Sequence, residues 1–63
     1  MRKVYVVCDE VDGVYGVYTN RDKAEGLVCK FSQFEDHPLA YTDDEDCRWG
    51  WTDWWMEVAV LDA

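Results

Sequence analysis

The chain has 63 residues, of which 14 are acidic and 6 are basic, so its formal net charge is −8 at neutral pH. A chain of this length makes one small domain, and its composition predicts a folded one, since 49% of the residues are apolar and 16% are aromatic. The negative charge argues against nucleic acids and anionic membranes as partners, because binding to phosphates requires a basic surface.

The first predicted element is a strand over residues 3–8, where β-branched and aromatic residues run without a breaker. Asp12-Gly13 is typical of a two-residue hairpin turn, so residues 14–18 form the predicted return strand. Directly opposed residues of a hairpin share a face of the sheet. One predicted face carries Val4, Val6, Cys8, Tyr15 and Val17, and the other carries Tyr5, Val7 and Tyr18.

A helix is predicted from about residue 20 to about residue 32. Thr19 is a suitable N-cap, and Asp22 and Lys30 lie near the ends of the helix whose partial charges they complement. Apolar residues recur at the spacing of one helical face, namely Ala24, Leu27, Val28 and Phe31.

Residues 35–53 are predicted to form a long loop, which in a compact domain is often functional. The loop contains the acidic run 43–46 and leads into Trp49-Gly-Trp-Thr-Asp-Trp-Trp, where four of seven residues are tryptophan. A last strand is predicted over residues 54–61. Its alternation directs Met56, Val58 and Val60 to one side and Trp55, Ala59 and Leu61 to the other.

These elements predict a single α+β domain over residues 1–63 with the order ββαβ. The expected sheet has three antiparallel strands in the order 2-1-3, and one helix packs on one face. We expect the helix to contact the face that carries Val4, Val6, Val17, Met56, Val58 and Val60.

The second face of the predicted sheet is also apolar, which favours a covered surface. The cover is either the long loop, with Tyr41, Trp49 and Trp51, or a second copy of the chain, or another protein. If it is a second copy, the predicted homodimer face consists of Tyr5, Val7, Tyr18, Trp55 and Leu61, next to Ala59.

The sequence offers no arrangement that indicates catalysis. Its single histidine, His37, precedes Pro38 in a polar loop, and there is no nucleophile–histidine pairing or phosphate-binding glycine-rich loop. The acidic run 43–46 lacks the spacing of an EF-hand calcium loop, since Arg48 and Trp49 stand where a ligand and the glycine belong. We therefore expect a protein that is not an enzyme and has no cofactor.

Cys8, Cys29 and Cys47 are odd in number and include no Cys-x-x-Cys pair, which is typical of free thiols in a reducing compartment. A zinc site of these three with His37 is an alternative, although structural zinc sites usually bring their ligands in close pairs. No segment reaches the roughly 20 apolar residues that span a bilayer, and the start lacks a signal-peptide pattern. The expected location is the cytoplasm.

Residues 14–25, Val-Tyr-Gly-Val-Tyr-Thr-Asn-Arg-Asp-Lys-Ala-Glu, follow a Lys-Val-Tyr-Val-Val start. This segment is similar to small uncharacterised proteins of bacteriophages and their bacterial hosts, in which a Gly-Val-Tyr-Ser/Thr-x-x-x-x-Ala motif joins a hairpin to a helix. The resemblance covers residues 3–31 and, weakly, the last strand. It implies a ββαβ fold, a phage-like origin and a place in the cytoplasm of a bacterial host cell, and it brings no active site.

Small acidic phage proteins resemble inhibitors of host defence enzymes, such as CRISPR and restriction systems. The leading hypothesis is a binding protein that inhibits a host defence protein by occlusion or DNA mimicry, and that recognises a basic or nucleic-acid-binding surface. The alternatives are a structural or regulatory homodimer and a small-ligand-binding module. In the leading hypothesis carboxylates imitate phosphates and tryptophans anchor the partner. The predicted contact residues are Asp43, Asp44, Glu45, Asp46, Trp49 and Trp51.

Overall fold

The fold was analysed in a computed structural model, which describes residues 2–43 and 47–61. Along these residues lie β1 (Arg2–Asp9), β2 (Gly13–Tyr18), α1 (Arg21–Phe31), β3 (Tyr41–Thr42), β4 (Arg48–Gly50) and β5 (Trp54–Leu61). The strands form one antiparallel sheet in the order β2-β1-β5-β4-β3, and α1 packs on one face of it. The predicted α+β class, with one helix on an antiparallel sheet, is confirmed.

The sheet has five strands, whereas the sequence predicted three. The predicted order 2-1-3 is retained as β2-β1-β5, and β4 and β3 extend the sheet beyond β5. Both additional strands come from the 35–53 segment, which was expected to be a loop. They are only two and three residues long, so neither has enough alternation for its periodicity to be detected.

The β1–β2 hairpin turns through Glu10, Val11 and Asp12 instead of the predicted two-residue turn. The carboxylate of Asp9 explains the difference, because its Oδ1 accepts hydrogen bonds from Val11 N–H at 2.8 Å and Asp12 N–H at 2.6 Å. Gly13 then leaves the turn with a φ of +84°, a conformation that glycine adopts without steric cost.

A bulge interrupts the pairing of β1 with β2. Val7 pairs with Gly16 and Cys8 with Val14, so Tyr15 is the extra residue of β2. The ring of Tyr15 packs against the last residue of α1, on the face that the helix covers. The expectation that Tyr15 lies on the same face as Cys8 is therefore wrong, because a two-residue turn without a bulge was assumed.

The helix begins at Arg21 and ends at Phe31, within one residue of the predicted bounds. Its N-cap is Asn20, not Thr19, and the Asn20 side chain accepts a hydrogen bond from Lys23 N–H at 3.2 Å. This bond satisfies one of the N–H groups that a helix N-terminus leaves without a partner in the helix.

The helix covers the side of β5 that the sequence predicted, but the opposite side of β1. Val7 of β1 pairs with Met56 of β5, and Tyr5 pairs with Val58, so these four residues share a face. Val7 and Met56 are fully buried against Val28 of the helix. The alternation within β1 and within β5 was predicted correctly, whereas the phase between these two strands was wrong.

The other side of the sheet, called the open face below, has no helix on it within residues 2–43 and 47–61. Val4, Val6 and Val17, which were expected to contact the helix, lie on this face. From the register, its residues in β1, β2 and β5 are Arg2, Val4, Val6, Cys8, Val14, Val17, Trp55, Glu57, Ala59 and Leu61.

The predicted homodimer face is consequently divided between the two sides of the sheet. Tyr5, Val7 and Tyr18 lie on the side that the helix covers, and Val7 is fully buried there. Trp55 and Leu61 lie on the open face. These five side chains therefore cannot contact a second copy as one surface.

Candidate binding cleft

A cleft of about 460 Å³ opens at the end of the sheet where β1 ends and β5 begins. Its walls come from the hairpin turn, from the segment that follows α1 and from the start of β5. Four of its nine lining residues carry a carboxylate and three are aromatic. The residues of this acidic–aromatic cleft are Asp9, Glu10, Val11, Asp12, Phe31, Gln33, Phe34, Asp53 and Trp54.

The hairpin wall of the cleft is held in place by backbone groups. Asp9 is buried and orders the turn through the two hydrogen bonds described above. The N–H of Glu10 donates to the carbonyl of Asp53 at 3.2 Å, which joins the turn to the residue before β5. The side chains of Glu10 and Asp12 are exposed, so the fixed turn presents two carboxylates to solvent.

Asp53 joins the end of the helix to the start of β5. Its carboxylate accepts hydrogen bonds from Ser32 Oγ at 2.8 Å, Gln33 N–H at 2.8 Å and Trp54 N–H at 2.9 Å. Desolvation by burial opposes its ionisation, but these hydrogen bonds outweigh that effect and lower the pKa of Asp53 below its ordinary value. Asp53 therefore contributes a negative charge to the cleft at neutral pH.

The aromatic part of the cleft is a packed group rather than a set of isolated rings. Phe31 and Trp54 lie 4.9 Å apart between ring centroids, and Tyr15 contacts both, at 5.3 Å and 5.4 Å. Phe34 is 42% exposed and forms the outer part of the aromatic wall. Such packing limits the loss of side-chain entropy when a ligand binds.

Carboxylates next to aromatic rings are suited to bind a cation. A guanidinium or ammonium group is attracted to the face of an aromatic ring as well as to a carboxylate, and the two attractions add in a partly desolvated cleft. The same preference occurs beside the cleft, where Lys30 Nζ lies 5.7 Å from the ring centroid of Phe31. The arrangement therefore favours the side chain of an arginine or a lysine as ligand.

Of the predicted acidic contact residues only Asp43 is described by the structure, and it does not line the acidic–aromatic cleft. Asp43 has a positive φ of 58°, and its carboxylate forms an ion pair with Arg21 of the helix at 2.8 Å. Arg21 also pairs with Glu25 at 2.6 Å. Asp44, Glu45 and Asp46 lie outside the described residues.

The predicted aromatic contact residues belong largely to the core. Trp51 is only 5% exposed, and its indole N–H donates to the carbonyl of His37 at 3.0 Å. Trp49 is half-buried against the core, and its ring centroid lies 5.7 Å from that of Trp51. Trp51 is therefore a core residue and not an exposed one, because it packs with Ala24 and Val28 of the helix.

The sequence analysis missed the cleft, although some of its acidic residues are visible in the sequence. Asp9, Glu10 and Asp12 follow directly after the first predicted strand. They face Asp53 only because β1 and β5 pair along their whole lengths, from Arg2↔Leu61 to Asp9↔Trp54. The pairing of two strands so far apart along the chain is not encoded in a local pattern.

The cysteines are reduced, and Cys8 is buried on the open face. Burial, reinforced by the carboxylate of Glu57, raises the pKa of Cys8 to about 11. Cys47 is exposed and Cys29 is half-buried. Among the described residues, no group of three or more histidine, cysteine or acidic residues is arranged to hold a metal ion.

No family model matches the chain, and neither does any curated protein or solved structure. A helix long and apolar enough to cross a membrane does not occur in the part of the chain that the structure describes.

Proposed function

We propose that the chain is a small acidic binding protein of the phage type, which inhibits a host defence protein by occluding its basic or nucleic-acid-binding surface. One observation carries this proposal: four carboxylates and three aromatic rings line a single cleft on a molecule of net charge −8. Electrostatic attraction would speed the encounter with a basic partner, and the cleft would supply the local contact.

In this proposal the exposed carboxylates of Glu10 and Asp12 meet the partner first. They take the positions of DNA phosphates opposite basic side chains, and an arginine or lysine of the partner enters the cleft between them and the aromatic wall. Phe34, the most exposed of the aromatic lining residues, would contact the aliphatic part of that side chain. Asp9 and Asp53 hold the walls in position.

The acidic run that includes Asp43, Asp44, Glu45 and Asp46 is a second proposed contact, and it stays a prediction. The charge of Asp43 is partly neutralised by its ion pair with Arg21. We therefore assign the cleft the larger share of the binding energy and the acidic run a contribution to long-range attraction.

The first experiment is a pull-down from bacterial lysate with the tagged protein at low and at moderate salt. The proposal predicts one retained nucleic-acid-binding protein in a stoichiometric amount, with less retained as salt rises. The purified target is then tested for DNA binding and for nuclease activity in the presence of the chain.

Two matched double variants distinguish the contribution of the cleft to inhibition from the contribution of the net charge. E10Q/D12N and D22N/D36N each remove two negative charges from exposed positions, but only the first pair alters the cleft. We expect E10Q/D12N to weaken inhibition by at least about tenfold and D22N/D36N to weaken it by less than about threefold. Equal effects of the two pairs would show that the cleft has no specific role, and a target that keeps its DNA bound would refute occlusion.

A further inference from the structure

We propose that β2 is an interface through which two copies of the chain pair as antiparallel strands, so that their sheets become one. β2 lies at the edge of the sheet, and its sequence Gly-Val-Tyr-Gly-Val-Tyr has no charged residue and no proline. Its exposed fractions are 63% at Val14, 51% at Tyr15 and 58% at Val17. Exposed edge strands are usually protected from pairing by charged residues, proline or a β-bulge, and of these β2 has only the bulge at Tyr15.

Because of the bulge, the assignment of the β2 residues to the two sides of the sheet reads the same from residue 13 to 18 as from residue 18 to 13. Val14 and Val17 lie on the open face, because Val14 pairs with Cys8 and Val17 with Val6. The other four residues of the strand lie on the side of the helix, namely Gly13, Tyr15, Gly16 and Tyr18. A twofold axis between residues 15 and 16 therefore pairs every residue with one on the same face, as a continuous sheet requires.

Side-chain sizes are complementary in this register. Tyr18 lies opposite Gly13 of the second copy, where a Cβ atom would meet nothing within 4 Å, so there is room for the ring. Tyr15 lies opposite Gly16 of the second copy, which is covered by the ring of that copy's own Tyr18, so the two tyrosine rings would pack side by side. Val14 lies opposite Val17 of the second copy, which is a favourable apolar cross-strand pair. The symmetry repeats each of these pairs once, so the match is specific to a second copy of this strand.

The net charge opposes self-association at long range, but the interface itself carries no charge that would prevent it. The molecule carries a net charge of −8, but β2 itself is uncharged, so two strands can approach with little local repulsion. Lys23 Nζ lies 5.4 Å from the ring centroid of Tyr18. Tyr18 would lie opposite Gly13 of the second copy, so Lys23 would lie near Asp12 of that copy, the residue before Gly13. The twofold symmetry gives two such attractions between an ammonium group and a carboxylate.

Sedimentation equilibrium over a concentration series tests the interface. The proposal predicts a monomer–dimer equilibrium, which V14E and V17K each weaken by at least about tenfold, because each places an unpaired charge in both valine pairs. The double variant V14E/V17K brings a carboxylate opposite an ammonium group in both pairs, so its association is expected to recover at least half of that loss in free energy. Association of the double variant recovers only if residue 14 lies opposite residue 17 of the second copy, whereas a nonspecific apolar contact would not restore it.

The control is V60K, which adds the same charge as V17K to an exposed valine of β5, outside β2. V60K should associate like the unchanged chain, and circular dichroism should show that all variants are folded. A monomer at every concentration up to the high micromolar range would overturn the proposal. A dimer that V14E and V17K leave unchanged would also overturn it, since the two copies would then meet through another surface.

Discussion

Gly50 shows how a single position secures the strands that the sequence did not predict. It has a φ of +136°, a conformation that residues with a side chain rarely adopt. A Cβ atom there would lie 2.7 Å from Trp55 Cα, 2.8 Å from the carbonyl oxygen of Trp54 and 3.0 Å from Val28 Cγ1. Two of these neighbours are backbone atoms of β5, which cannot move without disturbing the centre of the sheet.

We therefore expect Gly50→Ala to lower the free energy of unfolding by about 3 kcal/mol, through backbone strain and steric overlap. Urea denaturation followed by tryptophan fluorescence measures the change. The matched control is Gly26→Ala in the exposed part of the helix, where a Cβ atom meets nothing within 4 Å. That substitution should stabilise the chain by up to about 1 kcal/mol, because alanine is the better helix former. The same sign for both substitutions would contradict this account of Gly50.

Asp53 connects acid stability to the structure of the cleft. Its pKa is lowered from the ordinary value of 3.8 by hydrogen bonds to its ionised form. The stability that it contributes is therefore present above that ordinary value and is lost as the pH falls through the lower value of the folded state. Once the pH falls below this lowered pKa, protonation of Asp53 should weaken the connection between the helix and β5.

The variant D53N should lower the free energy of unfolding at pH 7 by at least about 1 kcal/mol, because the amide is uncharged and its NH2 group cannot accept the hydrogen bond from Gln33 N–H that one carboxylate oxygen accepts. Its stability should also fall less steeply between about pH 4 and pH 2 than that of the unchanged chain. E35Q removes a carboxylate from an exposed loop and is the control. If D53N and E35Q have the same pH dependence, the hydrogen bonds of Asp53 do not act in this way.

The secondary-structure elements that could be predicted are those whose sequence carries a local pattern. The helix has an apolar stripe and polar caps, and the alternation of β1 and β5 indicates which residues of each strand share a side. The phase between β1 and β5 had no local signal, because about fifty residues separate the paired positions, as in Val7↔Met56. Both faces of the predicted sheet were apolar, so hydrophobicity did not indicate which of them the helix covers.

The candidate site could be predicted less well than the fold. The tryptophans of the second half indicated a contact surface, but the β3–β4 strands bury Trp51 and fill part of the space below the helix with Trp49. Short strands of two and three residues depend on their neighbours, here on β5 and on the close approach at Gly50. The acidic–aromatic cleft depends in turn on the β1–β5 register, which brings Asp53 to the hairpin turn.

At the scale of the whole molecule, acidic residues exceed basic ones by eight, and the nine residues that line the cleft include no lysine or arginine. Arg21 is paired with Glu25 and Asp43 near the start of the helix. Arg48 lies over the rings of Tyr41 and Trp55, at 5.4 Å and 5.9 Å from their centroids. The negative charge is therefore available to attract a basic partner, and it also opposes folding through repulsion within the compact state.

This repulsion predicts that sodium chloride stabilises the chain. The Debye length falls from about 30 Å at 0.01 M to about 10 Å at 0.1 M, so repulsion across the whole molecule is screened. Partly exposed ion pairs such as Arg21–Asp43 contribute little, and their loss does not offset this gain. We expect the free energy of unfolding to rise by about 1 kcal/mol between these ionic strengths, measured by urea denaturation on V17K so that self-association does not contribute.

The charge-reduced variant D22N/D36N, combined with V17K, provides the control, since it carries two fewer negative charges at exposed positions. Its gain in stability with salt should be smaller, because repulsion grows with net charge. A stability that falls as salt is added would mean that the ion pairs of Arg21 outweigh the repulsion. The excess of acid would then be locally compensated on the folded surface, and long-range attraction of a basic partner would lose its physical basis.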